Sequence, residues 1–143
     1  MYIFDLDNTL CDSEHRSHLA REKRWDEFHA AAHLDEPTAI MDIYQALVLG
    51  QEACAILTGR NEKYRELTEQ WFIKHDLPLV DLFMRANDDF RPDFEFKLDA
   101  IRRYIVFPSM HKKWVRIFED RDAVVKALRA EGYTVLQVRE SLY

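Results

Sequence analysis

Five short apolar runs recur along the chain, and several of them end abruptly in polar residues. Between these runs, apolar residues recur at a spacing of three to four, which is typical of amphipathic helices. Strands that alternate with helices of about ten to fifteen residues indicate parallel pairing through right-handed crossovers. The sequence therefore predicts an α/β fold with a five-stranded parallel sheet flanked by helices. The predicted strands are MYIF at 1–4, ACAIL at 53–57, DLFM at 81–84, VRIF at 115–118 and TVLQV at 134–138.

Helical patterns separate these strands, and one segment interrupts the alternation. The predicted helices cover residues 39–49, 62–75, 93–106 and 122–132. The segment from Cys11 to Glu36 is too long for a simple strand–helix connection, and it contains patterns for two short helices. We expect residues 11–36 to form a small helical cap inserted after the first strand of a single domain that covers residues 1–143.

Bulk properties exclude several classes of protein. A chain of 143 residues is long enough to bury a core, and its 48% hydrophobic content argues against disorder. Its two cysteines, Cys11 and Cys54, fit neither a metal-binding spacing nor a disulfide framework. We expect a cytoplasmic protein, because the sequence contains no membrane-length apolar run and no signal pattern. The net charge of −6 disfavours a long nucleic-acid groove but permits a nucleic-acid end bound in a pocket.

Polar signatures follow three of the predicted strands. Asp5 and Asp7 follow the first strand, Thr58-Gly59-Arg60 follows the second, and Glu119-Asp120 follows the fourth. Lys97 lies on the helix that precedes the fourth strand. In open parallel sheets, ligands bind outside the carboxyl ends of the strands, so we expect these residues to meet at one rim.

This set of residue types suits phosphoryl transfer. Carboxylates at a strand end suit Mg²⁺, which prefers hard oxygen ligands. A carboxylate can attack phosphorus to form an aspartyl-phosphate, and a second carboxylate can transfer the protons. A hydroxyl, a backbone amide and a lysine can stabilise the charge on the phosphoryl oxygens.

The segments DLDNT, LTGR, Lys97 and FEDRD occur in the order of the four motifs of the haloacid dehalogenase (HAD) superfamily of phosphatases, which the whole chain resembles. The resemblance implies a Rossmann-like sheet with an optional cap. It also implies Mg²⁺ as cofactor. It implies that Asp5 is the nucleophile and a magnesium ligand, and that Asp7 is the general acid/base with its backbone carbonyl on the metal. Thr58 and Gly59 are then phosphoryl-binding groups, and Lys97 is the motif lysine. Asp120 is a second magnesium ligand, and Glu119 is either a ligand or the neighbour of one.

A closer resemblance connects MRANDDFRPDFEFK and EDRDAVVKALRAEGYTVLQV with the phosphatase half of phage polynucleotide kinases, which removes 3′-phosphates from nucleic-acid ends and 3′-nucleotides. It implies functional roles for Arg60, Arg85, Arg91 and Asp93. The chain departs from this group because it lacks the phosphate loop of the kinase half, and because its Cys11–Glu36 insert is longer. Free-standing relatives with HRxHL and WDxF segments resemble the chain better, and nucleoside monophosphates are candidate substrates for them.

Residues of the insert have alternative interpretations. His15, Arg16 and His18 either line the substrate entrance or lie on an exposed cap. Trp25 and Phe28 either stack on a base or, as we favour, pack the cap onto the core. His29 and His33 have a spacing that permits zinc binding, but no third ligand has a matching spacing, so zinc is disfavoured.

We therefore predict a Mg²⁺-dependent phosphomonoesterase that acts on nucleotides or nucleic-acid ends. Within this class, we favour a polynucleotide or nucleotide 3′-phosphatase. A 5′-nucleotidase acting on nucleoside monophosphates and a general small-metabolite phosphatase are alternatives within enzymes. A receiver-like phosphoacceptor module is a rival of another class, but its acidic pair would lie on the first strand and not on the fourth. A catalytically inactive interaction domain is disfavoured because the motif set is complete.

Overall fold

A five-stranded parallel sheet forms the centre of the computed structural model, which describes residues 1–143. Its strands have the order β5-β4-β1-β6-β7, and β1 is paired on both sides, with Ile3 opposite Ala55 of β4 and Ile117 of β6. The predicted α/β fold is confirmed. In chain order the strands are β1 (Tyr2–Phe4), β2 (Cys11–Asp12), β3 (Glu36–Pro37), β4 (Cys54–Asn61), β5 (Asp81–Arg85), β6 (Arg116–Glu119) and β7 (Thr134–Gln137).

Six α-helices accompany the strands, and two of them differ in length from the sequence prediction. The predicted helix at 62–75 begins with a 3₁₀ turn at Glu62–Tyr64, and the predicted helix at 93–106 changes at Ala100 into a π-helix at Ile101–Ile105. No helix is both long enough and apolar enough to span a membrane. The α-helices are α1 (Ser17–Arg21), α2 (Trp25–Ala30), α3 (Ile40–Leu49), α4 (Arg65–Lys74), α5 (Asp93–Ala100) and α6 (Asp122–Ala130).

The core lies on both faces of the sheet because successive strand residues point in opposite directions. Ile3 and Ile117 pack on the face that α5 and α6 cover, together with Val124 and Leu128. Phe4 and Phe118 are the next residues along their strands, and they belong to the core cluster on the other face. Their rings stack 4.5 Å apart. Burial on both faces explains why the central strands are apolar at nearly every position.

The segment between β1 and α3 leaves and rejoins the body of the protein through a short strand pair. β2 and β3 pair antiparallel, with Cys11 opposite Pro37. Between them lie α1 and α2, so the two short helices expected in the insert are present. The sequence pattern did not predict the strand pair, because each of its strands has only two residues.

Candidate active site

The acidic residues that follow β1 and β6 meet at one edge of the sheet, because these two strands are neighbours. Lys97 of α5 lies between them: its Nζ donates to Asp5 Oδ1 at 2.6 Å and to Glu119 Oε2 at 2.7 Å. Carboxylate oxygens of Asp5, Glu119 and Asp120 all lie within 4.8 Å of one another. The structure thus brings together residues from three of the four predicted motifs, and all of these side chains are buried.

Burial, together with crowding, perturbs the pKa values of these carboxylates. Burial, with added repulsion from Glu119, raises the pKa of Asp5 to about 8, although Lys97 opposes the shift. Burial also raises the pKa of Asp120 to about 7, with a further contribution from Asp5. Burial alone would lower the pKa of Lys97, but the charges of Asp5, Asp93 and Glu119 hold it well above its usual value. One ammonium group is therefore shared among several carboxylates, and such a site favours an additional cation.

The oxygens that are free to bind a cation can be identified. Asp120 Oδ1 is buried and has no hydrogen-bond partner, which is costly unless another group satisfies it. Glu119 is fully engaged, since its Oε2 accepts from Lys97 and its Oε1 accepts from the backbone amides of Asp120 and Arg121. This donor set fits Mg²⁺, with Asp5 and Asp120 offering open oxygens. Glu119 holds Lys97 and the turn after β6.

Two guanidinium groups bind the carboxylate of Asp7. Arg60 donates from Nε to Asp7 Oδ2 at 3.1 Å and from Nη2 to Asp7 Oδ1 at 2.6 Å. Arg16 donates from Nη2 to the same Oδ1. Burial would raise the pKa of Asp7, but Arg60 and Arg16 outweigh it and hold this pKa well below its usual range. Asp7 is therefore an ionised, oriented carboxylate in this arrangement.

Asp35 is a central residue that the sequence analysis missed. Its carboxylate is fully buried and accepts hydrogen bonds from Arg16 Nε at 2.7 Å and from Arg60 Nη2 at 3.1 Å. Trp71 Nε1 donates to its backbone carbonyl at 2.7 Å. Asp35 lies at the end of the insert and belongs to no motif. No sequence signal indicated it: the need for a second carboxylate follows only once the structure shows that Arg16 and Arg60 are both buried.

Asp7 and Asp35 form a second acidic group with the buried Cys11, and its ligand atoms also lie within 4.8 Å of one another. The guanidinium groups of Arg16 and Arg60 already supply positive charge to both carboxylates. Cys11 Sγ donates to Asp35 Oδ2 at 3.1 Å, and burial holds the pKa of its thiol well above the usual value. This second group is therefore an internal ion-pair network and differs from the metal-suited group.

The expected entrance residues His15 and Arg16 lie elsewhere. Arg16 is only 1% exposed, and its guanidinium also donates to the Phe28 carbonyl at 3.0 Å and covers the Phe28 ring at 4.0 Å. His15 Nε2 contacts Asp35 Oδ1 at 2.9 Å. Neither residue lines the cavity above Asp5, and neither does His18. Arg16 lies inside the protein and not at the entrance, because Asp7 and Asp35 neutralise its charge there.

The last residues of β4, where its register with β5 shifts between Thr58 and Asn61, pass close to the start of α5. The Thr58 side chain is buried, and its Oγ1 accepts from the Arg60 backbone amide at 3.2 Å. A Cβ atom on Gly59 would lie 2.6 Å from Asp93 Oδ1, so any side chain there would have to displace the Asp93 carboxylate. Arg60 is buried beneath this end of β4 and does not line the cavity, although Gly59 does.

Arg85 braces this end of β4. It donates from Nη2 to Asp93 Oδ1 at 2.6 Å, from Nε to the Gly59 carbonyl at 3.3 Å and from Nη1 to the Arg91 carbonyl at 2.8 Å. Asp93 Oδ2 lies 3.5 Å from Lys97 Nζ and from Arg121 Nη1. Arg85 also lines the cavity, so a predicted substrate-binding role is compatible with its position. Arg91 is paired with Asp89 and Asp99.

A cavity of about 710 Å³ opens above these residues. Asp5, Asp7 and Lys97 lie on its inner wall, and the cap contributes several residues. Trp25 and Phe28 have different roles: Phe28 is buried, whereas Trp25 is 42% exposed. The cap and the rim of the sheet contribute the remaining lining residues, which are Lys23, Trp25, Asp26, Phe28, His29, Asn61, Lys63, Asn87, Asp89, Phe90, Arg91, Asp93, Arg121 and Tyr143.

The structure does not assemble the disfavoured zinc site. His29 lines the cavity, is buried, and has an unpartnered Nδ1. His33 is exposed, and its Nδ1 contacts the Ala30 carbonyl at 2.8 Å. Neither histidine belongs to a group of potential metal ligands. Burial lowers the pKa of His29 to about 4.

Comparisons with known proteins agree with this architecture. The family of the polynucleotide kinase PNKP phosphatase domain matches residues 1–143. No curated relative matches the sequence. A chain in the structure of the Pnkp1/Rnl/Hen1 RNA repair complex is 24% identical with a TM-score of 0.81, and the match covers 99% of this chain and 43% of that one. In a second structure of the Pnkp1/Rnl/Hen1 complex, the identity is 25% and the TM-score 0.79, with coverage of 98% and 46%.

A more distant structure has a similar size. A HAD-superfamily hydrolase from Ehrlichia chaffeensis is 15% identical with a TM-score of 0.60, and the match covers 95% of this chain and 85% of that one. The chain thus spans less than half the length of the two repair-complex chains. Because the family match extends over the whole chain, the chain belongs to the HAD-type family of the polynucleotide kinase PNKP phosphatase domain.

Proposed function

We propose that the protein is a Mg²⁺-dependent phosphomonoesterase that removes 3′-phosphates from nucleic-acid ends or nucleotides through an aspartyl-phosphate. One observation carries this proposal. Asp5, Lys97 and Asp120 meet at the sheet edge beneath a cavity of about 710 Å³, and Asp120 Oδ1 is buried there without a partner. Phosphoryl transfer needs a nucleophile, a positively charged side chain and an open metal ligand, and these three residues supply them.

Asp5 is the proposed nucleophile. A carboxylate oxygen of Asp5 forms a bond to phosphorus while the bond from phosphorus to the ribose oxygen breaks, and that oxygen takes up a proton. Water then attacks phosphorus, the bond to Asp5 breaks, and inorganic phosphate leaves. The contact from Lys97 to Asp5 Oδ1 orients the carboxylate and offsets the negative charge that gathers on the phosphoryl group.

Asp5 and Asp120 are the proposed protein ligands of Mg²⁺, with the backbone carbonyl of Asp7 assigned by the HAD resemblance. Both side chains are buried, and both have a carboxylate oxygen without a hydrogen bond. When bound, Mg²⁺ neutralises charge on the phosphoryl oxygens. Glu119 supports the site through Lys97 and the backbone amides that follow it.

The Thr58 hydroxyl and the backbone at Gly59 are the proposed partners of the phosphoryl oxygens. Both lie at the end of β4, beside β1 in the sheet. The absence of a side chain at Gly59 leaves its backbone open to the cavity, which Gly59 lines. Backbone amides and hydroxyls stabilise developing charge well when they are fixed before the reaction.

Asp7 is the proposed proton-transfer group, and the two arginines constrain that role. As long as Arg16 and Arg60 hold it, Asp7 is ionised and cannot donate a proton. Proton donation to the leaving oxygen therefore requires one of these contacts to loosen when a phosphate enters, so that Asp7 takes up a proton from solvent and passes it to that oxygen. In the second step the ionised form accepts a proton from water.

The cavity supports a nucleotide-sized substrate. A volume of about 710 Å³ is within the roughly 300–1,000 Å³ that drug-sized ligands occupy, and it far exceeds a phosphate. Exposed aromatic and basic side chains from the cap and from the loop before α5 line it. We accordingly propose that residues 11–36 act as the cap that selects the substrate. The fold similarity to chains of an RNA repair complex favours a nucleic-acid end.

A substrate panel tests the proposal. Phosphate release is measured from a 3′-phosphorylated oligonucleotide, a 3′-nucleotide, a 5′-nucleotide and p-nitrophenyl phosphate, each with Mg²⁺ and with EDTA. We expect the 3′-phosphorylated substrates to be preferred and to require Mg²⁺. A preference for the 5′-nucleotide would favour the 5′-nucleotidase alternative, and hydrolysis of p-nitrophenyl phosphate alone would refute the nucleotide assignment.

Substitution of the nucleophile provides the internal control for this panel. Asp5→Asn is expected to lower kcat by more than about a thousandfold, as is typical when a covalent nucleophile is removed. Near-normal turnover by Asp5→Asn would show that another residue attacks phosphorus. Its far-ultraviolet circular dichroism is expected to match the unsubstituted protein, because Lys97 keeps its contact with Glu119.

A further inference from the structure

Three residues at the mouth of the cavity have no role in the chemistry described above. Lys23 and Trp25 come from the cap, and Phe90 comes from the loop between β5 and α5. All three line the same cavity as Asp5 and Lys97. We refer to Lys23, Trp25 and Phe90 as the entrance subsite.

The two aromatic side chains of this subsite are exposed, and that of Trp25 is also packed against the cap. Phe90 is 89% exposed and Trp25 is 42% exposed. The Trp25 ring packs edge-to-face on Phe28 at 5.9 Å, and Phe28 is buried against the Arg16 guanidinium. A single exposed aromatic residue needs no explanation, but two from different elements at one cavity mouth offer a surface for a flat apolar ligand.

The loop that carries Phe90 is anchored through its backbone. Arg85 Nη1 donates to the carbonyl of Arg91 at 2.8 Å, and Arg91 Nε donates to Asp89 at 3.0 Å. Fixing the residues on both sides of Phe90 lowers the conformational entropy that binding would cost. The loop therefore presents Phe90 to the cavity.

Lys23 differs from the other basic residues of the cavity because it has no ionic partner. Lys63 is paired with Asp26, Arg91 with Asp89 and Asp99, and Arg121 with Asp93. Lys23 makes no salt bridge, and its backbone amide ends α1 by donating to Ala20. An unpaired ammonium group that lines the same cavity as two exposed aromatic rings matches the charge and shape of a nucleotide.

We propose that the entrance subsite binds the nucleotide that precedes the 3′-terminal one, with its base on Trp25 and Phe90 and the linking phosphodiester on Lys23. The substrate class then becomes a nucleic-acid strand of at least two nucleotides. This inference rests on the proposed 3′-phosphatase function. It goes further because a 3′-mononucleotide has no linking phosphodiester and leaves this subsite empty.

The test compares kcat/KM for a thymidine dinucleotide with a 3′-phosphate and for thymidine 3′-monophosphate. The unsubstituted protein is expected to prefer the dinucleotide by at least about tenfold. Trp25→Ala and Phe90→Ala are each expected to lower that preference by at least about fivefold, the smallest loss typical of a stacked base. Phe107→Ala is the matched control, because Phe107 is 68% exposed and lies outside the cavity.

A glycine substitution isolates Lys23 without disturbing the fold. Lys23 has a φ of 59°, and glycine adopts this left-handed conformation readily, so Lys23→Gly keeps the end of α1. Gln51→Gly is the matched control: Gln51 has a φ of 60° at the end of α3 and repeats the same backbone hydrogen-bond pattern. We expect Lys23→Gly to lower the dinucleotide preference several-fold and Gln51→Gly to leave it unchanged.

A neutral methylphosphonate linkage in the dinucleotide tests the charge contact directly. It is expected to weaken the reaction of the unsubstituted protein several-fold and to have no further effect on Lys23→Gly, since the pair is then already broken. Equal loss on both substrates in the three variants would show a structural role and overturn the proposal.

The outcome also separates this inference from the proposed function. Good hydrolysis of the 3′-mononucleotide without a gain for the dinucleotide would refute the subsite and keep the 3′-phosphatase assignment. Failure to hydrolyse either nucleotide, with p-nitrophenyl phosphate still cleaved, would refute the assignment and the subsite with it.

Discussion

At the scale of single residues, the most consequential feature is the buried network of Asp7, Arg16, Asp35 and Arg60. Each arginine contacts both aspartates, so no charge in the network is left without an opposite charge. Asp7 is the member that also lines the cavity, and its side chain is 14% exposed. The network therefore orients one carboxylate towards the substrate while the other stays inside.

Removing the inner carboxylate should destabilise the protein. In Asp35→Asn, two buried guanidinium groups share one carboxylate, and we expect a loss of about 3 kcal/mol or more in the free energy of unfolding. Urea denaturation followed by circular dichroism measures this loss. Asp12→Asn is the control, because Asp12 is partly exposed and its change should stay within about 0.5 kcal/mol. Equal free energies of unfolding for the two variants would show that Asp35 does not stabilise the buried network.

At the scale of elements, the last residues of β4 and the first turn of α5 are fitted to each other. Gly59 and Asp93 approach so closely that a Cβ on Gly59 would lie 2.6 Å from Asp93 Oδ1. Arg85 fixes Asp93, and Asp93 contacts Lys97. The position of Lys97 therefore depends on a contact between two elements that are distant in sequence.

A methyl group at Gly59 should displace Asp93. We expect Gly59→Ala to destabilise the protein by about 1–3 kcal/mol, as overpacking typically does, and to lower kcat as well. On an Asp93→Ala background, the same substitution should cost less than about 0.5 kcal/mol, because the clash is gone. Thermal unfolding of the four proteins in this cycle gives the coupling, and simple additivity would disprove the contact.

The cap helix α2 makes stability depend on pH through His29. Burial lowers the pKa of His29 to about 4 from an ordinary 6.5, so the unfolded chain binds a proton at a higher pH than the folded protein. The contribution of neutral His29 is complete above pH 6.5 and is lost as the pH falls towards 4. By linkage, this loss amounts to about 2 kcal/mol between pH 7 and pH 5.

His29→Phe should remove this part of the pH dependence. Between pH 7 and pH 5, in EDTA, we expect the free energy of unfolding of His29→Phe to rise by about 2 kcal/mol relative to that of the unsubstituted protein, because only the latter loses the His29 contribution. The raised pKa values of Asp5 and Asp120 act in both proteins and cancel in this difference. His33→Gln is the control and should show no such difference, since His33 is exposed on the same segment. An unchanged difference for His29→Phe would show that His29 does not titrate as a buried group in this range.

At the scale of the whole molecule, an acidic chain with a net charge of −6 concentrates negative charge at the carboxyl end of its central strands. Lys97 alone does not balance that charge, and Asp120 retains a buried oxygen without a partner. Binding of a divalent cation should therefore stabilise the folded state relative to the unfolded chain.

Mg²⁺ should raise the melting temperature. At a concentration about a hundredfold above its Kd, a ligand adds about 2.7 kcal/mol to the free energy of unfolding. For a protein of this size, this corresponds to a rise of roughly 5–10 °C in the melting temperature. Differential scanning fluorimetry with Mg²⁺ and with EDTA measures the shift. Asp120→Asn should lose most of it, whereas Asp76→Asn should keep it, because Asp76 is exposed at the end of α4 and has a φ of 53° that asparagine tolerates. An equal shift in both variants would place the cation elsewhere.

The sequence determined the sheet because the information for it is local. Alternating apolar runs and helical periods identify each element, and parallel pairing follows from their alternation. The sequence did not predict where α4 begins or where α5 ends, since the change to a 3₁₀ turn or a π-helix leaves the apolar spacing almost unaltered. The two-residue strands β2 and β3 have no periodicity that a sequence pattern could reveal.

The candidate site could be predicted where its residues belong to ordered motifs at strand ends. Asp5 and Asp120 are such residues, and the topology brings them together without further information. Lys97 was predicted from the motif order, and α5 brings it to them. Only the tertiary structure decided the positions of Arg16 and Asp35. They lie 19 residues apart, and neither residue type indicates burial by itself. A buried ion pair exists only when both partners have been brought together, so its members cannot be recognised one at a time from sequence.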